Sequence, residues 1–572
     1  MMLIAVGLPL LLVRVQPASA ARKVRRITLE KYVDKMKAGW VGQMAGVGWG
    51  GPTEFRYKGT IIPEDKMPAW RPEMINQFNQ DDVYVEMAFL RTLELHGLDV
   101  PIRQAGIDFA NSRYKLWHAN KAGRTLLRSG IAPPDSGHPA FNKHADDIDY
   151  QIESDFSGLI APGMPNIAIE LGEKFGRLMN YGDGLYGGQF VGGMYAEAFF
   201  ESDPERIVRS GLECIPKGSQ YHRCICDVLK WYHEYPDDWQ KTWRLIEEKY
   251  NRNAAYRRFS CSGPDSIFNI DAKLNGAYIV MGLLYGKGDP DNTIIISTRC
   301  GQDSDCNPSN AAGVLFTTIG YEKLPDKFKS ALNPAGKFSH TPYDFPTLVE
   351  VCKKLVRQAL KRTGGHIEKD EQGREVFVIP VEKPRPGRLE QCWEPGPIAN
   401  SRFTTAEMAL ITAPPGKDLS RAIAKFAPGW KVTGCGEAMN PGFYERMHGR
   451  KNVLATHPLN RTTGCVLSRT LKLPAGKKTT LALTVGHDPN GDWVLIVRVD
   501  GEELLKKTIG EVSRPRNLAT GVPGQAAANL WTDLEIDLWP YAGKEIKLEL
   551  VNQPNGWHFE AAYWAKIDLV EE

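Results

Sequence analysis

The chain has 572 residues, which is too many for one hydrophobic core, so two or three domains are expected. Its apolar fraction of 42% and charged fraction of 24% are those of an ordinary soluble globular protein. The formal net charge is only +3, and lysines and arginines are scattered along the chain. This pattern gives no reason to expect a nucleic-acid or membrane partner.

The chain begins with an apolar run, MMLIAVGLPLLLV, which is followed by Ala18-Ser19-Ala20 and a basic stretch. The run is similar to the hydrophobic region of a signal peptide with a small-x-small cleavage motif, and it is too short to span a bilayer comfortably. The basic residues that usually precede such a run are missing. The pattern favours a signal peptide over residues 1–20 and a secreted or periplasmic protein, with a retained N-terminal anchor as the alternative.

Residues 27–330 are predicted to be helical. Apolar residues recur at helical spacing in LEKYVDKMKAGWVGQMAG, although Gly39, Gly42 and Gly46 interrupt this segment. Glycine destabilises a helix, so we expect these three to let another backbone approach closely. A second helix is predicted for DDVYVEMAFLRTLELH, ending at Gly97. Further helical segments follow without βαβ alternation or a fixed repeat, so this region is predicted to be an all-α bundle.

The remaining sequence has a different character. Residues 331–404 contain one amphipathic helix and then a segment rich in proline and charge, which is predicted to be a linker or a strap across the bundle. In residues 405–572, short segments of strand character alternate with turn signals, and Asp500-Gly501 marks a hairpin turn. This spacing predicts an all-β jelly-roll sandwich of galactose-binding-like type.

The predicted sandwich is rich in tryptophan, and two interpretations of these side chains are open. They can pack in the core and loops, or they can form a platform on which sugar rings stack, because an aromatic face suits the C–H face of a sugar. The residues concerned are Trp493, Trp531, Trp539, Trp557 and Trp564.

Two pairs of aspartates stand at predicted helix starts. Asp303 and Asp305 lie in RCGQDSDCNPSNAAG, where Asn307 is a suitable N-cap and Pro308 a suitable first helical residue. The pair Asp81-Asp82 opens the helix DDVYVEMAF. Each pair alone is explained by helix capping, but together they suit a hard cation such as Mg²⁺, Mn²⁺ or Ca²⁺, which prefers oxygen ligands.

Four motifs occur in the same order as in a known family. They are GWVGQMAGVGWGGPTEF, NQDDVYVEMAF, LECIPKGSQYHRCICDVL, and GQDSDCN followed by a small-residue helix and IGYEKLP. Over residues 36–327, the sequence resembles the ADP-ribosylglycohydrolase family in these motifs. The resemblance implies the all-α bundle of that family, a binuclear magnesium site at its centre, and hydrolysis of the glycosidic bond of an ADP-ribosyl group.

The resemblance also implies roles for particular residues. Asp81 and Asp82 match the first metal-binding pair of the family, and Asp303 and Asp305 match the second. Glu54 matches an acidic residue that orients or protonates a group near the scissile bond. Glu54, Asp82 and Asp303 are therefore the predicted catalytic residues, although spacing alone does not say which carboxylate acts as acid and which as base.

This sequence departs from the family pattern at several positions. Gln80 and Cys306 stand where the family has hydroxyl ligands, and Val83 replaces a threonine. A thiol is a soft ligand that hard cations disfavour, so the resemblance implies two magnesium ions with one position altered. Asp183, in NYGDGLYGG, is either a turn residue or a further carboxylate of the site.

Three functions are compatible with the sequence. The first is a metal-dependent hydrolase of ADP-ribosyl or related ribosyl groups. The second is an exported glycan or furanoside hydrolase that uses the same fold and site, with the β-sandwich holding the substrate. The third is a non-catalytic carbohydrate-binding protein, which the retention of four costly neighbouring aspartates disfavours.

Overall fold

A computed structural model describes residues 23–412, 418–510, 530–556 and 559–572. The predicted signal peptide, residues 1–20, lies outside this range. Backbone contacts divide the chain into two compact units, of which the first ends at Glu407 and the second begins at Met408. Among the described helices, none is both long enough and apolar enough to cross a membrane.

The first unit is helical, as predicted. Its first helices are α1 (Leu29–Gly50), α2 (Asp81–His96), α3 (Ile102–Asn111), α4 (His118–Arg128), α5 (Asp149–Ile152), α6 (Asp155–Leu159), α7 (Pro165–Phe175) and α8 (Asp183–Ala198). The following helices are α9 (Pro204–Glu213), α10 (Gln220–Glu234), α11 (Trp239–Ile246), α12 (Ala272–Tyr285), α13 (Pro290–Arg299), α14 (Cys306–Ile319) and α15 (Phe345–Arg362), and α16 (Thr405–Leu410) spans the boundary between the units.

The glycines of α1 let this helix pack closely against α14. A methyl group at Gly42 would overlap the carbonyl of Ala312, and one at Gly46 would overlap the carbonyl of Pro308. At Gly39, the added group would meet the side chains of two neighbouring residues instead. The expected close approach of a second backbone is therefore confirmed at Gly42 and Gly46, and it brings the start of α14 against the end of α1.

Of the two helices at whose starts the aspartate pairs lie, one begins where it was predicted and the other begins earlier. Helix α2 begins at Asp81 and ends before Gly97, as the sequence indicates. Helix α14 begins at Cys306 with Asp305 at the N-cap position, so the prediction of Asn307 as N-cap was wrong by two residues. Asn307 lies inside the helix. Its side chain does not cap the helix but donates to Oδ1 of Asn275 at 2.9 Å.

A small antiparallel sheet completes the first unit and was not predicted. Strand β1 (Val24–Thr28) pairs with β3 (Glu375–Pro380), which also pairs with β2 (His366–Lys369). The proline-rich segment after β3 then runs along the helices. The N–H of Glu390 donates to the Tyr186 hydroxyl at 2.7 Å, and the Asp135 carboxylate accepts two further backbone N–H groups of this segment.

The second unit is a β-sandwich, as predicted, preceded by α17 (Ser420–Phe426). Its strands are β4 (Lys431–Thr433), β5 (Gly442–Met447), β6 (Arg450–Thr456), β7 (Cys465–Lys472), β8 (Thr479–His487), β9 (Trp493–Val499), β10 (Glu502–Ile509), β11 (Trp531–Asp537), β12 (Glu545–Gln553) and β13 (Ala562–Glu571). One five-stranded sheet has the order β10-β9-β12-β7-β4, and the other has the order β11-β8-β13-β6-β5.

The two sheets enclose one apolar core, and the tryptophans divide between core and surface. Trp493 and Trp564 are fully buried with ring centroids 5.3 Å apart, so these two are core residues. Trp539 is 47% exposed, and Trp531 is partly exposed. Trp557 lies outside the described residues. The sugar-platform interpretation therefore stays open for the exposed tryptophans only.

Candidate metal centre

Two loops meet beside the start of α14. The turn after α1 carries Glu54, and the N–H of the next residue, Phe55, donates to the carbonyl of Gln302 at 3.0 Å. Both Phe55 and Gln302 have left-handed backbones, with φ of 50° and 56°. This conformation is costly for residues other than glycine and is typical of functional sites. It holds the Glu54 loop beside the loop of Asp303 and Asp305.

Five predicted site residues converge at this point and are called here the carboxylate site: Glu54, Asp82, Asp303, Asp305 and Cys306. Potential ligand atoms of Glu54, Asp303 and Asp305 lie within 4.8 Å of one another, and the same is true of Asp82, Asp305 and Cys306. Asp305 belongs to both groups. The structure therefore brings together the two aspartate pairs that are more than two hundred residues apart in sequence.

The hydrogen bonds at the carboxylate site leave two of its buried carboxylate oxygens without a donor. The Cys306 thiol donates to Oδ2 of Asp82 at 3.3 Å and lies 3.7 Å from Oδ1 of Asp305. In the described part of the chain, the buried Oδ1 atoms of Asp82 and Asp303 have no hydrogen-bond partner. Buried carboxylate oxygens without donors are the ligands that a hard cation requires, so these residues fit a divalent metal ion.

Asp81 and Gln80 lie next to the carboxylate site at the start of α2. Asp81 is half-buried, and its charge interacts with those of Asp305 and Glu54. Gln80 is the N-cap residue of α2, but its side chain makes no capping hydrogen bond. Its carbonyl accepts the N–H of Val83 at 3.1 Å. The Gln80 side chain is therefore not required by the helix end.

Burial and negative neighbours raise the pKa of the carboxyl groups at this site. Desolvation is the largest cause for each group, and the charge of Asp305 is the next for Glu54, Asp81, Asp82 and Asp303. The pKa of Glu54 rises to about 8, although its side chain reaches solvent, and that of Asp81 rises to about 7. A bound cation would oppose both causes, because it favours the ionised carboxylates.

Further buried acidic residues surround the carboxylate site, and sequence reasoning missed them. Glu86 accepts the N–H of Phe156 at 2.9 Å, and Asp155 accepts the side-chain amide of Asn310 at 2.8 Å. Burial raises the pKa of Asp155 to about 7. Glu153 is also buried, and its carboxylate accepts the side chain of a neighbouring asparagine. The two acidic residues close together in QIESD, directly before the largely apolar FSGLIAP, were the available signal.

Asp183 is neither a turn residue nor a member of the carboxylate site. It is the first residue of α8, is buried, and accepts the backbone N–H of Tyr221 at 3.1 Å. Its carboxylate interacts with Asp146 and the buried ammonium group of Lys273. Asp183 therefore belongs to a separate buried ionic cluster, and both sequence interpretations of this residue were wrong.

Comparison with known proteins identifies the family. The family model named ADP-ribosylglycohydrolase matches residues 28–364, more than half of the chain. The chain belongs to the ADP-ribosylglycohydrolase family. The predicted resemblance is thereby confirmed over the helical unit, and the family supports a function of glycosyl-hydrolase type.

Several solved structures are similar to parts of this ADP-ribosylglycohydrolase family member. An ADP-ribosylglycohydrolase-related protein complex is 13% identical, with coverage of 58% of this chain and 100% of that chain and a TM-score of 0.36. TmCBM61 in complex with β-1,4-galactotriose is 15% identical, with coverage of 28% of this chain and 100% of that chain and a TM-score of 0.18. CBM35 from Paenibacillus barcinonensis is 15% identical, with coverage of 26% of this chain and 94% of that chain and a TM-score of 0.17. No curated protein matches the chain.

In this member of the family, the carboxylate site combines three kinds of ligand group. It offers three buried aspartates, an exposed glutamate and a thiol, and the half-buried Asp81 lies beside it. Asp305, shared between the two groups, lies where one carboxylate can serve two ligand sets. The arrangement can hold a divalent cation on buried oxygens while leaving one carboxylate, Glu54, accessible to a substrate.

Proposed function

We propose that this protein is a metal-dependent hydrolase that cleaves a glycosidic bond at the anomeric carbon of an ADP-ribosyl or related ribosyl group. The observation that carries the proposal is the convergence of five side chains in two groups that share Asp305. Within each group, the potential ligand atoms lie within 4.8 Å of one another, and the residues concerned are Glu54, Asp82, Asp303, Asp305 and Cys306. Family membership supports the bond type, and the unpartnered buried oxygens support the metal dependence.

The residues of the site divide into metal-holding and substrate-contacting groups. Asp81, Asp82, Asp303 and Asp305 would hold Mg²⁺ or Mn²⁺, and a bound ion would act as a Lewis acid toward a ribosyl diol or a water molecule. Glu54 is the exposed carboxyl group, so it is placed to contact the substrate and to orient or protonate a group near the scissile bond. These assignments are part of the proposal.

The buried aspartates would also handle protons. Oδ1 of Asp303 has no partner among the described residues, so it can accept a proton from an attacking water molecule. Asp82 is held by the Cys306 thiol through its other oxygen, which fixes the orientation of its carboxylate plane. The two roles differ because Asp303 lies in the Glu54 group and Asp82 does not.

A second substrate class, exported glycans or other furanosides, is favoured by two features. The first is the N-terminal apolar run with its small-x-small motif, and the second is the β-sandwich unit that follows the helical unit. ADP-ribosylated proteins are mostly intracellular, so an exported enzyme would meet other glycosides. A secreted or periplasmic location belongs to this second candidate.

Both candidates are tested with one substrate panel. The full chain, stripped with EDTA, is incubated with N- and O-linked ADP-ribosyl peptides and with aryl furanosides, in the presence or absence of Mg²⁺ and Mn²⁺. We expect hydrolysis of one class that requires the added ion and is lost in Asp303→Asn. Hydrolysis that persists in EDTA would contradict the metal dependence, and failure on every substrate while ribosyl ligands still bind would favour the non-catalytic alternative.

A further inference from the structure

A second cluster of potential metal ligands lies outside the carboxylate site. It consists of His118, His144, Asp147 and Cys261, and is called here the His–Cys cluster. One ligand atom from each residue lies within 4.8 Å of the others. These residues come from three separate segments: the start of α4, the loop before α5, and the loop between α11 and α12. Nothing in the proposed hydrolytic mechanism uses them.

Asp147 is at the centre of this cluster. Its side chain is 0% exposed, and its Oδ2 lies 2.6 Å from Nδ1 of His144 and 3.5 Å from Nδ1 of His118. In the described residues, neither the buried Oδ1 of Asp147 nor Nδ1 of His118 has a hydrogen-bond partner. A fully buried carboxylate oxygen thus lies without a donor beside two imidazoles and a thiol, an arrangement that suits a bound cation.

The chemistry of the cluster differs from that of the carboxylate site. Two imidazoles, one thiol and one carboxylate form the donor set of zinc, and they are poor ligands for Mg²⁺. Cys261 carries a free thiol, and it is partly buried. Bond lengths of about 2.0–2.3 Å in a tetrahedral zinc site place the ligand atoms roughly 3.3–3.8 Å apart. Nδ1 of His118 is 3.5 Å from Oδ2 of Asp147, within that range, whereas Nδ1 of His144 is closer at 2.6 Å, so the His144 side chain would have to move apart from Asp147 to form the site.

We propose that His118, His144, Asp147 and Cys261 together bind one zinc ion. Binding would deprotonate the thiol and leave both imidazoles neutral, each with no proton on the nitrogen that binds the ion. The protons displaced from the cluster would pass to solvent. Four protein ligands complete a tetrahedral set without an open position, so the ion has a structural role and no catalytic one.

The position of the cluster indicates what the ion would hold in place. Cys261 lies in the loop whose backbone is fixed by the buried Arg257, which donates to the carbonyls of Ser266 and Phe268. The Phe268 ring stacks on the imidazole of His118 at 5.7 Å and contacts the ring of Phe55 at 5.2 Å. The zinc ion would therefore fix the loop that packs behind Phe55, the residue after Glu54.

Cobalt substitution tests the site in the full-length protein. The protein is stripped with EDTA, saturated with Mg²⁺ and titrated with Co²⁺, whose visible spectrum reports tetrahedral geometry and whose charge-transfer absorption reports a bound thiolate. We expect one equivalent to produce both signals. The charge-transfer absorption should disappear in Cys261→Ser and persist in Cys226→Ser, which changes an exposed thiol outside the cluster.

Three further variants distinguish the His–Cys cluster from the carboxylate site. Cys306→Ser and Asp305→Asn should both retain the absorption, because they alter only the carboxylate site. His144→Ala should weaken Zn²⁺ binding at least a hundredfold and abolish the increase in melting temperature that Zn²⁺ causes, while its circular dichroism shows that the protein is folded. An absorption lost in Cys306→Ser and kept in Cys261→Ser would overturn the proposal, as would the absence of any thiolate signal.

Discussion

Sγ of Cys306 lies 3.3 Å from Oδ2 of Asp82, inside the carboxylate site. A thiol is a poorer ligand for a hard cation than a hydroxyl group. We therefore expect Cys306→Ser to strengthen Mg²⁺ binding roughly tenfold, which corresponds to about 1.4 kcal/mol. Titration calorimetry measures the change. Cys300→Ser, which alters a buried cysteine outside the carboxylate site, should bind Mg²⁺ as the unmodified chain does. Weaker binding by Cys306→Ser would show that the thiol does not stand in the position of a hydroxyl ligand.

Glu54 is predicted to act on the substrate without being needed for the buried ligand set. Glu54→Gln keeps the size of the side chain but removes its proton-transfer capacity, so we expect kcat to fall by about 10²–10⁴-fold. Mg²⁺ affinity should change much less, because Glu54 is the exposed member of its group. The exposed Glu73 supplies a matched control, as Glu73→Gln should leave kcat unchanged. Equal activity of the two variants would remove Glu54 from the mechanism.

The stability of the metal-free protein is expected to fall as the pH rises. The pKa of Asp81 is about 7 in the folded chain against an ordinary value of 3.8, so the folded state holds a proton that the unfolded chain has released. Between pH 3.8 and about pH 7, each unit of pH increase lowers the free energy of unfolding by up to about 1.4 kcal/mol for every such proton. Added Mg²⁺ should flatten this slope, because the ion favours the ionised carboxylates.

Urea unfolding at about pH 5 and pH 7, with EDTA or with Mg²⁺, measures this slope. Asp147, whose lowered pKa would raise stability with pH, is buried in the His–Cys cluster, and the other carboxyl groups with a lowered pKa also lie outside the carboxylate site, so we expect them to contribute equally in both solutions. A slope that is the same with and without Mg²⁺ would show that the carboxylate site does not bind the ion in the folded chain.

Close packing of α1 against α14 positions Asp305 and is tested by adding one methyl group. Gly46→Ala would overlap the carbonyl of Pro308, and we expect it to lower the free energy of unfolding by about 1–3 kcal/mol. Gly51→Ala is the matched control, because no atom lies within 4 Å of the added group. If both variants unfold at the same urea concentration, the two helices are not packed as described.

Helix content and the sandwich were predictable because their signals are local. The period of α2 and the turn at Asp500-Gly501 are readable within a few residues, and both agree with the structure, where Asp500 and Gly501 have φ of 52° and 90°. Strand β1 was missed because it lies some 350 residues before its partner β3 in the chain, whereas β2 and β3 form a local hairpin that was missed although its strands are adjacent. Short strands whose pairing is non-local leave little trace in sequence.

The candidate site was predictable where its residues occur in pairs or match the motifs of the family. Asp81-Asp82 and Asp303 with Asp305 are conspicuous doublets, and the family resemblance assigns them a common purpose and adds the single residue Glu54. Glu86 and Asp155 stand in no such motif, so only the folded chain shows that they surround the site. The His–Cys cluster was missed for the same reason, since its two histidines and its cysteine come from different segments and have no metal-binding spacing.

The central claim is that the aspartates of the carboxylate site bind a divalent cation, and Asp305 is the member common to both ligand groups. Titration calorimetry of the EDTA-stripped full chain with Mg²⁺ and Mn²⁺, beside Asp305→Asn, tests it most directly. Zn²⁺ is added beforehand so that the His–Cys cluster does not contribute heat. We expect saturable binding in the unmodified chain and its loss in Asp305→Asn. Absence of binding in the unmodified chain, or equal binding in both proteins, would contradict it.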